Sequence, residues 1–342
     1  MPADLAERDA DICRSMIRGG SKSFYAASLV LPRRVREPAY ALYAFCRLAD
    51  DAVDEEGAVG AAERLSRRLT ALSRGTPADH PADRAFAAVM ARHRIPVEVP
   101  AALLEGLRWD EDGRFYETLA DLEEYAARVA GTVGVMMTLI MGVRDPAVLA
   151  RACDLGVAMQ LSNIARDVGE DARRARLYLP RGWLRAEGIE PSAFLAAPAF
   201  TPALGRVVKK LLMRAEALYD RAESGIRALP FDCRTGIGAA RILYREIGRH
   251  VAERDGNSVD SRAIVSGRRK VGLMTQAALA ATLPGRAVST EPPLESCRFL
   301  IDAVQRSDVF TPAAAQEMTD RLARALDIFV AASMNISASR RL

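Results

Sequence analysis

The chain has 342 residues, half of them apolar, and a formal net charge of +4. This length and apolar content allow one large domain with a substantial buried core. The basic residues are spread along the chain instead of forming a stripe, so nucleic acid is not an expected partner. Five cysteines without a CxxC pair, and only three histidines, predict neither a zinc site nor a disulfide framework and fit a reducing cytoplasm.

Nothing in the chain predicts export or a membrane span. Residues 1–20 are charged and contain no apolar stretch of signal-peptide length. The longest uncharged segment without proline, residues 129–143, is shorter than the roughly 20 apolar residues of a spanning helix. We therefore expect a cytoplasmic protein without an obligatory protein partner. Peripheral contact with the inner membrane stays open, because an apolar substrate could bring the protein to that surface.

The helical composition predicts an all-α fold. Ala, Leu, Arg and Glu recur at helical periods, whereas alternating runs of β-branched and aromatic residues are nearly absent. Breaks are predicted at residues 74–81, 196–202 and 283–293, which are rich in Pro, Gly, Ser or Thr. None is long or polar enough to separate domains, so we expect a single domain over residues 1–342.

A first acidic helix is predicted from Pro38 to a stop at Gly57. Its polar face carries Tyr43, Arg47, Asp50 and Asp54 at helical spacing. Carboxylates four residues apart repel each other, and a divalent cation such as Mg²⁺ would relieve that repulsion. A single DxxxD pattern is more often a solvated acidic helix end, because such pairs are common on protein surfaces.

A second acidic helix repeats the arrangement within residues 152–183. Asn163, Asp167 and Asp171 are four residues apart, with Gln160 one turn earlier and Arg166 adjacent. The upstream turns are apolar almost all round, which predicts a buried helix. Buried amides need partners, and a metal ion with a diphosphate would supply them.

An alternative for the second cluster is a surface ion-pair network. Arg173, Arg174 and Arg176 follow the acids directly and could neutralise them without any ligand. Two copies of one pattern favour the metal interpretation, because opposed acidic helices could clamp a diphosphate through Mg²⁺ and stabilise it as a leaving group.

The carbocation left by an allylic diphosphate must be kept from water. Residues 129–143 could form an apolar wall, in which Ala130, Gly131 and Gly134 leave room for a long chain. Close helix packing in a core explains the same small residues equally well.

Four motifs in order carry a resemblance to a known family: GSKSFYAASLVLP from Gly20, ALYAFCRLADDAVDE from Ala41, YAARVAGTVG from Tyr125 and MQLSNIARDVGEDARRARLYLPRGW from Met159. Together they resemble the squalene and phytoene synthases, the head-to-head trans-isoprenyl diphosphate synthases. The resemblance implies an isoprenoid synthase-type helical bundle with a central apolar cavity. It further implies a catalytic core of about residues 14–292, followed by a helical tail, residues 293–342, to which we assign only packing. One departure is Gly20, where some relatives carry histidine.

The resemblance also implies roles for particular residues. Metal binding is implied for Asp50, Asp54, Asn163, Asp167 and Asp171. Catalytic roles are implied for the four aspartates of this set and for the cavity tyrosines Tyr125 and Tyr178. Contacts to substrate or diphosphate are implied for Ser21, Lys22, Ser23, Tyr43, Arg47, Gln160, Arg166, Tyr244 and Arg262.

The implied reaction is that of a prenyltransferase of carotenoid biosynthesis. Two geranylgeranyl diphosphates are joined head to head through a cyclopropyl diphosphate into phytoene, with Mg²⁺ or Mn²⁺ and without a nicotinamide cofactor. The alternative within the family is a dehydrosqualene or presqualene diphosphate synthase using farnesyl diphosphate, because a few cavity side chains can decide chain length. A non-catalytic helical binding protein is a further alternative, but it predicts broken aspartate clusters, and both clusters here are intact.

Overall fold

The computed structural model describes residues 3–54, 60–282 and 287–308, without the side chains of residues 3, 22, 23, 54 and 308. Over these ranges the chain forms helices and no strand, which confirms the all-α prediction. The α-helices, in chain order, are α1 (Ala3–Gly20), α2 (Lys22–Ser28), α3 (Arg33–Asp54), α4 (Ala61–Ser73), α5 (Pro81–His93), α6 (Glu98–Glu111), α7 (Leu119–Ala126), α8 (Thr132–Ile140), α9 (Pro146–Arg173), α10 (Arg181–Ala186), α11 (Pro191–Ala196), α12 (Pro202–Ala228), α13 (Phe231–Glu253), α14 (Gly267–Ala281) and α15 (Arg298–Asp308).

The predicted start of the first acidic helix at Pro38 is wrong. Helix α3 begins at Arg33, so the proline lies inside the helix, after its first turn. The chain accepts the proline there because only one intrahelical hydrogen bond, to the carbonyl four residues earlier, is lost. The helix is followed to Asp54, and the predicted stop at Gly57 lies outside the described residues.

Helix α9 forms the centre of the bundle. The Asp145 carboxylate accepts hydrogen bonds from the amides of Ala147 and Val148 at 2.9 and 3.0 Å, and Pro146 occupies the first helical position. This is a strong start signal, because the side chain satisfies two amides that otherwise have no helical partner. The helix then packs against α8, α12 and α13. Its middle turns are buried, as the sequence predicted.

The apolar segment 129–143 lies inside, as predicted, but it is not one regular helix. Residues Ala127–Gly131 form a π-helical turn between α7 and α8. The turn is pressed against α9, since a Cβ atom on Gly156 would lie 2.4 Å from the Ala130 carbonyl oxygen. A Cβ atom on Gly134 would likewise lie 2.4 Å from the Ala152 carbonyl oxygen. The glycines therefore let the two backbones meet.

Two predicted breaks are confirmed as loops between helices. Helix α4 ends at Ser73 and α5 begins at Pro81, while α11 ends at Ala196 and α12 begins at Pro202. The third break, 283–293, follows α14, although residues 283–286 lie outside the described part. Beyond it α15 packs against α6, α8 and α9, and a 3₁₀ turn (Glu295–Cys297) packs against α7 and the π-helical turn at Ala127–Gly131. The boundary between core and tail near residue 292 stays a prediction.

Candidate functional site

The first acidic face occupies the end of α3. The Arg47 guanidinium lies 2.6 Å from the Asp51 carboxylate and 3.7 Å from that of Asp50, and all three side chains are about half exposed. Asp54 ends the described helix, and its side chain lies outside the described part. The middle turns of α3 are largely buried, whereas water reaches the carboxylates at the end of the helix.

Tyr43 lies two turns before Asp50 and meets the end of α1. A Cβ atom on Gly20 would lie 2.3 Å from the Tyr43 hydroxyl oxygen, so glycine is required for this approach. A histidine at position 20 is therefore incompatible with the observed place of Tyr43. Ser21 follows as the cap of α2, accepting a hydrogen bond from the Phe24 amide at 3.3 Å.

Lys22 and Ser23, which the resemblance assigns to diphosphate contact, form the first turn of α2. Their side chains lie outside the described part, so the structure gives only their backbone position.

Two amide side chains lie on α9 before the acids. Gln160 and Asn163 are half-buried and line the central cavity. The Oδ1 atom of Asn163 is buried and receives no hydrogen bond from the described residues. Leaving a buried acceptor unpaired costs about 1–3 kcal/mol. A cation or a donor from a ligand would relieve that cost.

The second acidic cluster follows one and two turns later. Asp167 is paired with Arg166 at 2.5 Å and with Arg262 at 2.8 Å, and its side chain is only 15% exposed. Burial, together with the charges of Asp167 and Glu170, raises the pKa of Asp171 to about 7. The cluster therefore carries more negative charge than its surroundings easily accommodate.

The surface ion-pair alternative describes only part of this cluster. Arg174 pairs with Glu170 at 3.3 Å, as that alternative predicts, whereas Arg173 donates a hydrogen bond to the Val259 carbonyl. Arg262 approaches Glu170 at 3.6 Å in addition to Asp167. Arg262, to which the resemblance assigns a diphosphate contact, thus lies at the second acidic cluster.

Tyr244 lies between the two acidic helices. It is buried on α13 and stacks on Phe24 with ring centroids 5.4 Å apart. Burial raises the pKa of Tyr244 to about 12, and the groups that act on it electrostatically include Arg166, Asp167 and Tyr43. Residues from α3 and α9 therefore act on one side chain.

A cluster of three tyrosines encloses a carboxyl group that the sequence did not indicate. The hydroxyls of Tyr178 and Tyr125 donate to the two oxygens of Asp110, each at 2.8 Å. Tyr116 stacks on the Tyr178 ring and lies tilted against the Tyr125 ring. Burial raises the pKa of Asp110 to about 6, the two hydroxyls lower it, and the charge of Asp50 raises it. Asp110 is the first of three consecutive acidic residues at the end of α6, and this run gives no pattern from which the contact with the tyrosines could be predicted.

An apolar cavity of about 330 Å³ lies inside the bundle. Tyr43 and Cys46 line it from α3, and Gln160 and Asn163 line it from α9. Asp50 and Asp167 each lie one helical turn, about 5.4 Å, beyond these lining residues. The two acidic helices therefore meet over one hollow, as the sequence predicted. The tyrosine cluster lies outside the lining, with Tyr125 one turn before Val129.

The residues of α9 fit a magnesium ion that arrives with a diphosphate. In the described ranges, no three carboxylate, imidazole or thiolate groups form a metal cluster by themselves. Magnesium, however, usually takes one or two carboxylates and completes its shell with water and substrate phosphates. Asp167, Asp171 and the unpaired Asn163 oxygen provide such a partial set.

The fold and the site define the class as a helical enzyme of the isoprenoid synthase type, and solved structures agree. A dehydrosqualene synthase is 34% identical, with a TM-score of 0.75, over 81% of this chain and 98% of that one. A squalene synthase from Alicyclobacillus acidocaldarius is 26% identical, with a TM-score of 0.68, over 75% and 97%. These neighbours confirm the predicted fold.

The chain belongs to the squalene/phytoene synthase family, which residues 17–273 match. A phytoene synthase of Rhodobacter capsulatus is 54% identical over 81% of this chain and 83% of its own length. A phytoene synthase of Cereibacter sphaeroides is 49% identical over 89% and 90%. The family resemblance inferred from the four motifs is thereby confirmed.

Proposed function

We propose that the chain joins two geranylgeranyl diphosphates head to head into phytoene, releases diphosphate and serves carotenoid biosynthesis. The observation that carries this proposal is the similarity to two phytoene synthases at 54% and 49% identity, over most of both chains. The shared hollow between the two acidic helices supports it, because the reaction needs diphosphate binding beside a cavity that excludes water.

The first step is departure of one diphosphate. Asp50 and Asp54 on α3, and Asn163, Asp167 and Asp171 on α9, would hold the metal ions. When bound, Mg²⁺ or Mn²⁺ would neutralise the negative charge on the leaving diphosphate. Arg47, Arg166 and Arg262 already pair with carboxylates of these clusters and can donate to phosphate oxygens instead. Ser21, Lys22, Ser23, Tyr43, Gln160 and Tyr244 complete the proposed substrate contacts.

The second step forms the cyclopropane. The double bond of the acceptor attacks the allylic cation, and loss of a proton from the donor carbon that carried the departed diphosphate closes the three-membered ring. We assign that proton to the Asp110 carboxylate, because Tyr125, which holds it, lies one turn from the cavity lining at Val129 and because a pKa of about 6 suits a base near neutral pH. Tyr125 and Tyr178 hold both of its oxygens and so fix its orientation.

The length of the cavity supports a long substrate. Its lining on α9 runs from Asn163 back to Val148, which is about 22 Å of helix at 1.5 Å per residue. The wall consists mostly of apolar side chains, including Met137 and Met159, as protection of a carbocation requires.

A product assay tests the proposal and separates it from the fifteen-carbon alternative. The protein is incubated with Mg²⁺ and either geranylgeranyl or farnesyl diphosphate, without a nicotinamide cofactor, and the hydrocarbon is identified by mass. We expect phytoene from the twenty-carbon substrate at the higher kcat/KM. Preference for farnesyl diphosphate would establish the alternative, and no product from either substrate by the folded protein would refute both.

We also propose peripheral contact with a membrane, because both substrate and product are lipophilic. In the part of the chain that the structure describes, no helix is long and apolar enough to cross a bilayer. Leu29, Val30 and Phe231 are exposed on the outer side of cavity walls built by α2 and α13. Sedimentation with phospholipid vesicles tests this contact, and Leu29→Ser with Phe231→Ser should weaken it. Equal sedimentation of this variant and the parent protein would contradict the assignment of the surface.

A further inference from the structure

A buried charge stands behind the mostly apolar wall of the cavity. Arg151 lines the cavity from α9, and its side chain is completely buried. It precedes Asn163 by twelve residues, or about 18 Å along the helix. Arg151 therefore belongs to the end of the lining that is farthest from the acidic clusters, and its guanidinium, which has no exposed surface, lies directly behind that lining.

Several groups fix the guanidinium in place. Its Nε atom lies 2.7 Å from the carboxylate of Asp154, which is also completely buried. Its terminal nitrogens donate to the carbonyls of Ser289 and Pro292 at 3.4 and 3.5 Å. Asp154 is held in turn by Arg221 at 3.1 Å. The charged group is thus anchored by α12 and by the segment before α15.

The stem of Arg151 has no space behind it either. A Cβ atom on Gly225 of α12 would lie 2.3 Å from the Arg151 Cβ atom. The arginine cannot move back toward α12 without a collision, and it cannot swing away without leaving its buried carboxylate. A buried charge that loses its partner is strongly destabilised, because an apolar tail offers nothing in exchange.

We propose that Arg151 is the end wall of the cavity and sets the longest prenyl chain that the enzyme accepts. This inference rests on the proposed function and deepens it, since it names the residue that limits substrate length. A methionine or leucine at this place could rotate to admit a longer tail, whereas the anchored guanidinium cannot.

The test compares geranylgeranyl diphosphate with its twenty-five-carbon homologue, geranylfarnesyl diphosphate, by kcat/KM. In Arg151→Ala, Asp154 keeps Arg221 as its partner, so the variant leaves no isolated buried charge. We expect the kcat/KM ratio of the longer to the shorter substrate to rise about tenfold or more, because each methylene in an apolar pocket is worth about ten- to 200-fold. Arg221→Ala removes the other partner of Asp154 without opening the cavity, and should leave the ratio unchanged.

Gly225→Ala tests the same wall in the opposite direction. The new methyl group should push Arg151 into the cavity and lower the kcat/KM for geranylgeranyl diphosphate relative to farnesyl diphosphate several-fold. Unchanged ratios in both Arg151→Ala and Gly225→Ala, with turnover retained, would overturn the end-wall proposal alone. Absence of turnover of any prenyl diphosphate by the parent protein would instead overturn the proposed function.

Discussion

Replacing Tyr178 by phenylalanine should move the acid limb of the pH–rate profile to higher pH. Tyr178 donates one of the two hydrogen bonds that hold the Asp110 carboxylate. These hydrogen bonds lower the pKa of Asp110, while burial raises it to about 6. Removing one of them therefore raises the pKa further. Since the proposed base acts in its ionised form, the rate must rise with pH through this pKa.

The size of the shift follows from the energy of the lost bond. A hydrogen bond to a charged group contributes about 1.5–3 kcal/mol, and one pKa unit corresponds to about 1.4 kcal/mol. The pKa of Asp110 should therefore rise by about one to two units, to about 7 or 8. At pH 6 the ionised fraction then falls about 5- to 50-fold, and it recovers above pH 9.

The assay is the initial rate of phytoene formation from geranylgeranyl diphosphate at saturating Mg²⁺ between pH 5.5 and 9. Tyr125→Phe should shift the limb in the same direction, because its hydroxyl holds the other oxygen of Asp110. Tyr116→Phe is the matched control, since its hydroxyl has no hydrogen-bond partner among the described residues although its ring contacts both neighbouring tyrosine rings. A rate lowered equally at every pH in Tyr178→Phe would show that the tyrosine does not act through Asp110.

Three further outcomes follow from the site and the packing. Asp167→Ala should lower kcat about 100- to 1000-fold with the helical circular dichroism unchanged, because stabilisation of the leaving diphosphate is lost. The control is Glu37→Ala, which removes an exposed carboxylate paired with an arginine and should keep full turnover. Gly20→Ala should displace the Tyr43 hydroxyl that it faces and lower kcat/KM about tenfold, which corresponds to about 1.4 kcal/mol of transition-state stabilisation. Gly19→Ala is the control, because open space surrounds that glycine and kcat/KM should not change. Gly156→Ala should lower the free energy of unfolding in urea by about 1–3 kcal/mol, because a carbonyl oxygen occupies the space of the new methyl group; a midpoint equal to that of the parent would contradict the close backbone contact.

The sequence predicted the second acidic helix well because its signals are local. Turns that are apolar almost all round predict a buried helix, and the structure has one. The start of α3 was missed for the opposite reason. Pro38 is read as a helix start from local preference alone, but packing of α3 against α1 and α5 supports a longer helix.

Contacts between distant segments could not be predicted from spacing. Asp110 meets Tyr125 and Tyr178 only after three parts of the chain fold together. The buried pair of Arg151 and Asp154 looks like an ordinary surface pair on a helix, and only α12 and the segment before α15 enclose it. Only the family resemblance indicates Arg262 as a site residue, since no local pattern in the sequence relates it to Asp167.

The π-helical turn at Ala127–Gly131 fixes the rotational phase between two parts of one long helical segment. It inserts one residue, so everything after it is rotated by about 100° relative to an uninterrupted α-helix. Tyr125 can therefore point to Asp110 while Val133 and Met137 point into the cavity. A single-residue deletion within the turn would change no chemical group of the site, yet it would turn the tyrosine that holds Asp110 and the apolar wall out of register with each other.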